Sequence, residues 1–163
     1  MLRAMPVDLQ LRGVRAARPS PVALARRARR MLAALRLERA ELSLVLCDDR
    51  TMQALNRRHR GLDRPTDVLA FAQDEGPAMP SPGNRLLGDV VISLPTARRQ
   101  AREQGRTALA EATMLLAHGL LHLLGFDHRT ATEERRMRAR TDALVAAGMA
   151  SGSAARPIKS GGR

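Results

Sequence analysis

The sequence predicts an α+β domain in which a small mixed β-sheet packs with helices, one of them a zincin-like metal helix. Three observations carry this expectation. Short segments of strand-like alternation precede segments with apolar residues at helical spacing, helices stand toward both ends of the chain, and His118 and His122 lie four apart in the most apolar helical stretch. The 163 residues suit one domain with a real core, expected over residues 1–150. Residues 151–163, rich in Gly, Ser, Ala and basic side chains, are expected to form a disordered basic tail.

Val7 to Leu11 alternates apolar and polar residues and reads as a first strand. Ser20-Pro21 supplies an N-cap and a first-turn proline, and Leu24, Ala28, Met31, Leu32 and Leu35 follow at helical spacing. Arg26, Arg27, Arg29 and Arg30 are expected largely on the outer face of this helix, which is either solvated or turned toward phosphate. Glu41 to Cys47 is strand-like again, and Asp48 can cap a short helix through Met52 and Leu55. Asp67 to Ala72 and Gly88 to Leu94 read as two further strands. Between them, the three prolines and two glycines of Gln73 to Arg85 mark a loop. A helix from about Pro95 to Gln104 stops at Gly105, and another from Thr107 carries Leu115, Leu116, His118, Leu121 and His122 to an end at Gly125. Thr130 with Glu133 forms a capping-box pattern for a last helix, with Met137, Leu144 and Val145 on its inner face.

Composition narrows the function classes. Met1 to Gln10 holds no apolar run of signal-peptide length, and the longest apolar stretch, Leu115 to Phe126, is interrupted by two histidines and two glycines. A single cysteine, Cys47, cannot form an intrachain disulfide, so a cytoplasmic protein with no membrane partner is expected. The net charge is +12, and every basic residue except Lys159 is arginine. A GC-rich genome accounts for arginine in place of lysine but not for the excess of positive charge, which suits a polyanionic partner.

Three of the four histidines fall within eleven residues, His118 to His128. Two imidazoles four apart share a helix face, Gly125 can end the helix, and the chain can turn back to present a third. Three nitrogens leave a fourth position open, as catalytic zinc sites do. The spacing is that of the protease pattern HExxHxxGxxH, but Gly119 stands where the proteases carry the glutamate that activates water. That departure removes the general base and keeps the metal framework. Phosphodiester cleavage needs no such glutamate when the nucleophile is a metal-activated water or the ribose 2′-hydroxyl. Asp127 can orient an imidazole or serve the turn.

The segment His118-Gly119-Leu120-Leu121-His122-Leu123-Leu124-Gly125-Phe126-Asp127-His128 resembles the HGxLHLxGYDH signature of the YbeY family, bacterial rRNA maturation factors described as single-strand-specific, zinc-dependent endoribonucleases. Leu55 to Phe71, which contains Asn56, Arg60, Gly61, Asp63, Pro65, Thr66 and Asp67, is similar to the family's LN..YRG.D.PTDVLSF stretch, and Leu87-Gly88-Asp89 with the strand after it to the LGD stretch. The resemblance implies one zinc held by His118, His122 and His128 and a catalytic role for Arg60. It also implies work on the 3′ end of 16S rRNA and in ribosome quality control, with rRNA, the ribosome and ribosomal proteins as partners. Arg60 has an independent rationale, because a guanidinium can bind the charge of a phosphodiester transition state; otherwise it is a surface arginine among Arg57, Arg58 and Arg64. Phe126 replaces the family's Tyr, His59 an aromatic, and Ala70 and Ala72 the usual Ser and Pro. His59 is expected to be solvated or packed rather than a fourth ligand.

Two other readings stand beside a metal-dependent endoribonuclease. One is a non-enzymatic ribosome-assembly factor with a structural zinc; the other, disfavoured by Gly119, is a metallopeptidase or other hydrolase. With no Trp or Tyr and only Phe71 and Phe126, a base-stacking platform is not expected, so recognition should lean on arginine and phosphate. Affinity for single-stranded RNA should therefore fall steeply with salt and vary little with sequence. Titration across a salt series checks this, and a flat dependence would contradict it.

Overall fold

The computed structural model describes residues 6–15, 18–73 and 85–150. The tail and all but the end residues of the Gln73–Arg85 loop lie outside them. The described elements run β1 (Val7–Arg12), α1 (Pro21–Ala34), β2 (Glu41–Cys47), α2 (Asp49–Arg60), β3 (Val68–Ala72), β4 (Leu86–Ser93), α3 (Leu94–Glu103), α4 (Ala108–Leu123) and α5 (Ala131–Met149). The strands form one mixed sheet in the order β1-β2-β4-β3: β1 and β4 flank β2 in parallel, and β3 runs antiparallel to β4. The α+β expectation is met.

Local chemistry sets most of the boundaries. Ser20, Thr107 and Thr130 cap α1, α4 and α5 by accepting from the backbone N–H three residues on, and Thr130 and Glu133 complete the capping box. Helix α2 is longer than the sequence reading, which followed its apolar residues only to Leu55. It continues through Arg57, Arg58 and Arg60 on an exposed face and ends where Gly61 takes the left-handed conformation (φ 71°). Asn56, buried on its inner side, donates to the Arg64 carbonyl at 2.8 Å and so ties down the loop that leads to β3. Asp67 stands just before β3, its side chain accepting from Val68 N–H at 2.7 Å and from Gln100 of α3 at 3.2 Å.

The two faces of the sheet carry unequal cores. Leu42, Leu44, Leu46, Val90 and Ile92 point to the side covered by α1, α4 and α5, where Leu24, Met31, Leu116, Leu120 and Leu144 meet them. Each fully buried leucine contributes about 1.5–3 kcal/mol. The opposite face holds a smaller cluster of Val45, Cys47, Leu69 and Val91 under Met52 of α2. Cys47 belongs to that cluster; burial foremost, then Asp48 and Asp49, push its thiol up to about 12, so it is packing material and not a nucleophile.

Two arginines depart from the outer-face expectation for α1. Arg27 is half-buried and donates to Thr113 Oγ1 of α4 at 2.9 Å, and Arg30 donates to the Gly148 carbonyl of α5 at 3.2 Å. Their long stems reach past the apolar stripe, so these cations join helices, and of the four arginines only Arg26 is exposed rather than half-buried.

Helix α4 lies very close to the sheet. A Cβ added at Gly119 would meet Val90 Cγ1 at 2.8 Å and Val68 Cγ2 at 3.2 Å. Gly119→Ala should gain about 1 kcal/mol of helix propensity and lose about 1–3 kcal/mol to overpacking against two stiff valines. A net loss of stability in urea unfolding is the expected outcome; a stabilised variant would show that the helix has room.

Candidate metal centre

Helix α4 is buried around most of its circumference, and its half-buried face carries Met114, His118 and His122. The helix ends in two reciprocal bonds, Gly125 N–H to the His122 carbonyl at 3.0 Å and Phe126 N–H to the Leu121 carbonyl at 3.1 Å, with Gly125 left-handed at φ 88°. This Schellman arrangement reverses the chain, and only a residue without Cβ takes that conformation freely. Three residues later His128 faces the two helix histidines. Its own N–H is held by Asp127 Oδ1 at 2.8 Å, and the other Asp127 oxygen pairs with Arg129 at 2.7 Å. Of the two roles open to Asp127, these bonds are those of the turn.

The three rings converge. His118 Nε2 and His122 Nε2 stand 3.0 Å apart, and one ligand nitrogen from each of the three histidines lies within 4.8 Å of the others. A tetrahedral site with bonds of about 2.0–2.1 Å sets neighbouring donors roughly 3.3 Å apart, so the donor set suits one small divalent cation in type, and the His118–His122 pair already stands close to that spacing. The protonation state fits as well. Burial foremost, then the charges of His122 and His128, hold the His118 ring below its usual pKa, with Asp67 opposing. His122 is lowered first by burial and then by His128; Asp127 and a hydrogen bond to the Phe126 backbone pull the other way, and Arg60 adds to the lowering. Neutral imidazoles are what a cation requires.

The histidines sit in a cleft of about 750 Å³ whose walls include Val68 of β3, His118 and His122 of α4, and Met137 and Val145 of α5. Gly119 is part of the same lining, and its contact with Val90 explains the departure from the protease pattern. A glutamate there would drive its Cβ into the sheet before its carboxylate could reach the cleft.

Arg60 stands at the end of α2 against β3, whose Ala70 lines the cleft, and its charge contributes to the lowering of His122. Its guanidinium donates to the Ala70 carbonyl at 3.0 Å and lies 5.4 Å from the centre of the Phe71 ring, exposed at the end of α2. His59 packs its ring 4.9 Å from that of Phe71 and is not among the converging nitrogens, as expected. Phe126 lies under the Arg140 guanidinium at 4.4 Å. The sequence reading missed Asp67, Arg106 and Arg138 as cleft residues. Asp67 stands inside a motif noted for its strand, but nothing in the spacing shows that the strand starts beside α4.

The model of the family described as Endoribonuclease YbeY matches residues 20–148. The chain is 51% identical over 112 residues to Endoribonuclease YbeY of Moorella thermoacetica, covering 66% of this chain and 72% of the relative. It is 48% identical over 136 residues to the protein of that name from an Anaeromyxobacter species, covering 80% and 69%. A solution structure of a Thermotoga maritima protein shares the fold with a TM-score of 0.59 at 22% identity, over 86% of this chain and 89% of that one.

The lowered histidines make a pH prediction. The unfolded chain takes up protons near the ordinary value of 6.5 before the folded chain does, so the contribution of neutral rings is fully present above that value. It is lost as pH falls through 6.5 toward the lowered folded values. The melting temperature of the metal-free chain should fall from about pH 7 to about pH 5, and less steeply in His118→Ala. Parallel curves for the two proteins would remove His118 as a source.

Proposed function

The chain belongs to the YbeY endoribonuclease family, and from that premise we propose that it is a zinc-dependent, single-strand-specific endoribonuclease of rRNA maturation. The proposal extends to processing of the 16S rRNA 3′ end and to ribosome quality control, with rRNA, the ribosome and ribosomal proteins as partners in the cytoplasm. The observation that carries the chemistry is the convergence of three imidazoles at a cleft whose wall includes Ala70, the residue whose carbonyl holds Arg60.

His118, His122 and His128 would hold a zinc ion, which would supply Lewis acidity toward a phosphoryl oxygen and would lower the pKa of a water. The chain's own residues supply the rest. Arg60 is the proposed catalytic residue: with one arm on the Ala70 carbonyl, its remaining N–H donors are exposed to take phosphate oxygens as charge develops on them. The Schellman turn fixes where His128 stands, and the Gly119 contact fixes the stance of the α4 histidines against the sheet. Water and the ribose 2′-hydroxyl both fit as nucleophile, and no peptidase glutamate has room to form. The donor set opens onto a cleft, which favours a catalytic over a structural ion and so the nuclease over a non-enzymatic assembly factor.

Highly purified protein with zinc should cleave single-stranded RNA and lose that activity to a chelator. Loss of one ligand in His118→Ala should cost at least about 100-fold, and Arg60→Ala about 10²–10³ in kcat. Products ending in a 2′,3′-cyclic phosphate would identify the ribose hydroxyl as the nucleophile. If both variants cleave like the parent, the activity is a contaminant and the roles fall.

A further inference from the structure

We propose that Arg106 is a substrate-binding residue that takes a phosphate of single-stranded RNA beyond the bond being cleaved, and that buried Glu111 is its positioning residue. The inference rests on the RNA-cleaving reading above and assigns the far end of the same cleft.

Arg106 lies in the short connection from α3 to α4. Gly105 turns left-handed (φ 66°), Arg106 N–H donates to the Ala101 carbonyl at 2.8 Å, and Thr107 at once caps α4. The backbone of Arg106 is thus pinned from both sides. Its Nη1 stands 3.5 Å from Glu111 Oε2 and donates to Met114 Sδ at 3.4 Å. The two partners differ in setting: the Glu111 side chain is 1% exposed and that of Arg106 is 43% exposed. At 3.5 Å the contact is Coulombic rather than a formed hydrogen bond, and among the described residues Oε2 has no hydrogen-bond partner. A buried carboxylate left in that state is costly unless it serves a neighbour.

That neighbour faces the cleft. Arg106 lines it together with His118 and His122. With Nη1 turned to Glu111 and Met114, the rest of the guanidinium fork is available to an anion, and a phosphate matches it in bidentate fashion. Glu111 and His118 are seven residues apart on α4, roughly 10 Å at 1.5 Å per residue. That separation places Arg106 toward the far end of the cleft from the histidines, where it suits the phosphate of a neighbouring nucleotide. Met114 and Leu115 lie between the two ends as an apolar floor for sugar or base.

The test is the double variant Arg106→Gln/Glu111→Gln, which removes one charge of each sign and leaves the net charge of +12 unchanged. Affinity for a cleavage-resistant 2′-O-methyl single-stranded RNA, read by fluorescence anisotropy, should fall about tenfold. The slope of log affinity against log salt should become shallower by about 0.7, the share of one phosphate contact on a single strand. KM should rise in step while kcat stays within about twofold. Glu111→Gln alone should raise KM, and should add nothing in an Arg106→Gln background; equal shifts in both backgrounds would mark Glu111 as merely structural and overturn its part. Parent-like affinity and slope in the double variant overturn the proposal while the parent still cleaves RNA. A parent chain that neither binds nor cleaves RNA overturns this inference and the reading beneath it together. Should the double variant not fold, Arg106→Lys keeps the charge beside Glu111 and loses the fork, so it should keep the salt slope and lose affinity several-fold; parent-like affinity there also overturns the proposal.

Discussion

The cleft depends on how closely α4 lies against β3 and β4. At Gly119 the helix backbone comes near enough to Val90 and Val68 that no Cβ fits without displacing them. Packing at this depth sets the height and rotation of the helix, and so the direction in which His118 and His122 leave it one turn apart. Glycine in a helix interior costs roughly 1 kcal/mol of propensity, which the burial of Leu116, Leu120 and Leu121 on the neighbouring faces offsets. The same contact closes the position from which a protease would act. One steric constraint therefore accounts both for the stance of the ligands and for chemistry that differs from that of a peptidase with similar spacing.

Charge is distributed less simply than +12 suggests. Arg27 and Arg30 join α1 to α4 and α5, Arg99 pairs with Asp49 at 2.8 Å, and Arg106 sits against Glu111. These cations belong to the architecture before they belong to a ligand. Others, such as Arg57, Arg58 and Arg138, are exposed and add to the field around the cleft. Near the histidines the signs are mixed: Asp67 and Asp127 favour charged rings, whereas burial and Arg60 oppose them, and burial prevails. Neutral nitrogens and a positive approach can then coexist, because desolvation acts on the rings while the arginines act through solvent.

Much of the fold was legible because its signals are local. The alternation of Glu41 to Cys47 gave β2 its full span, and the caps at Ser20, Thr107 and Thr130 mark helices in the chain as they do in space. The length of α2 was not legible from its apolar residues, because beyond Leu55 its outer face is basic and its buried contact is the polar Asn56. The arginines of α1 misled for a related reason: periodicity places a Cα on a face, but a stem of three methylenes can carry the cation round to a neighbouring helix. Arg106 and Glu111 had no signal of their own, and the motif around Asp67 did not show that it lines the cleft, since each matters through a partner distant in sequence or through burial.

By itself the sequence determined the α+β composition, most element boundaries and the three histidines, since turns, caps and i, i+4 spacing involve only neighbours along the chain. It also determined the family, through ordered motifs that no single interaction explains. Only the tertiary structure decided that a side chain at Gly119 would collide with the sheet, that Asp127 serves the turn, that Arg60 is tied to the Ala70 carbonyl of β3 and that Arg106 lines the cleft beside a buried carboxylate. Those facts depend on the distance between a helix and a sheet and on which side chains lose their water, and both are set by packing between segments far apart in the chain.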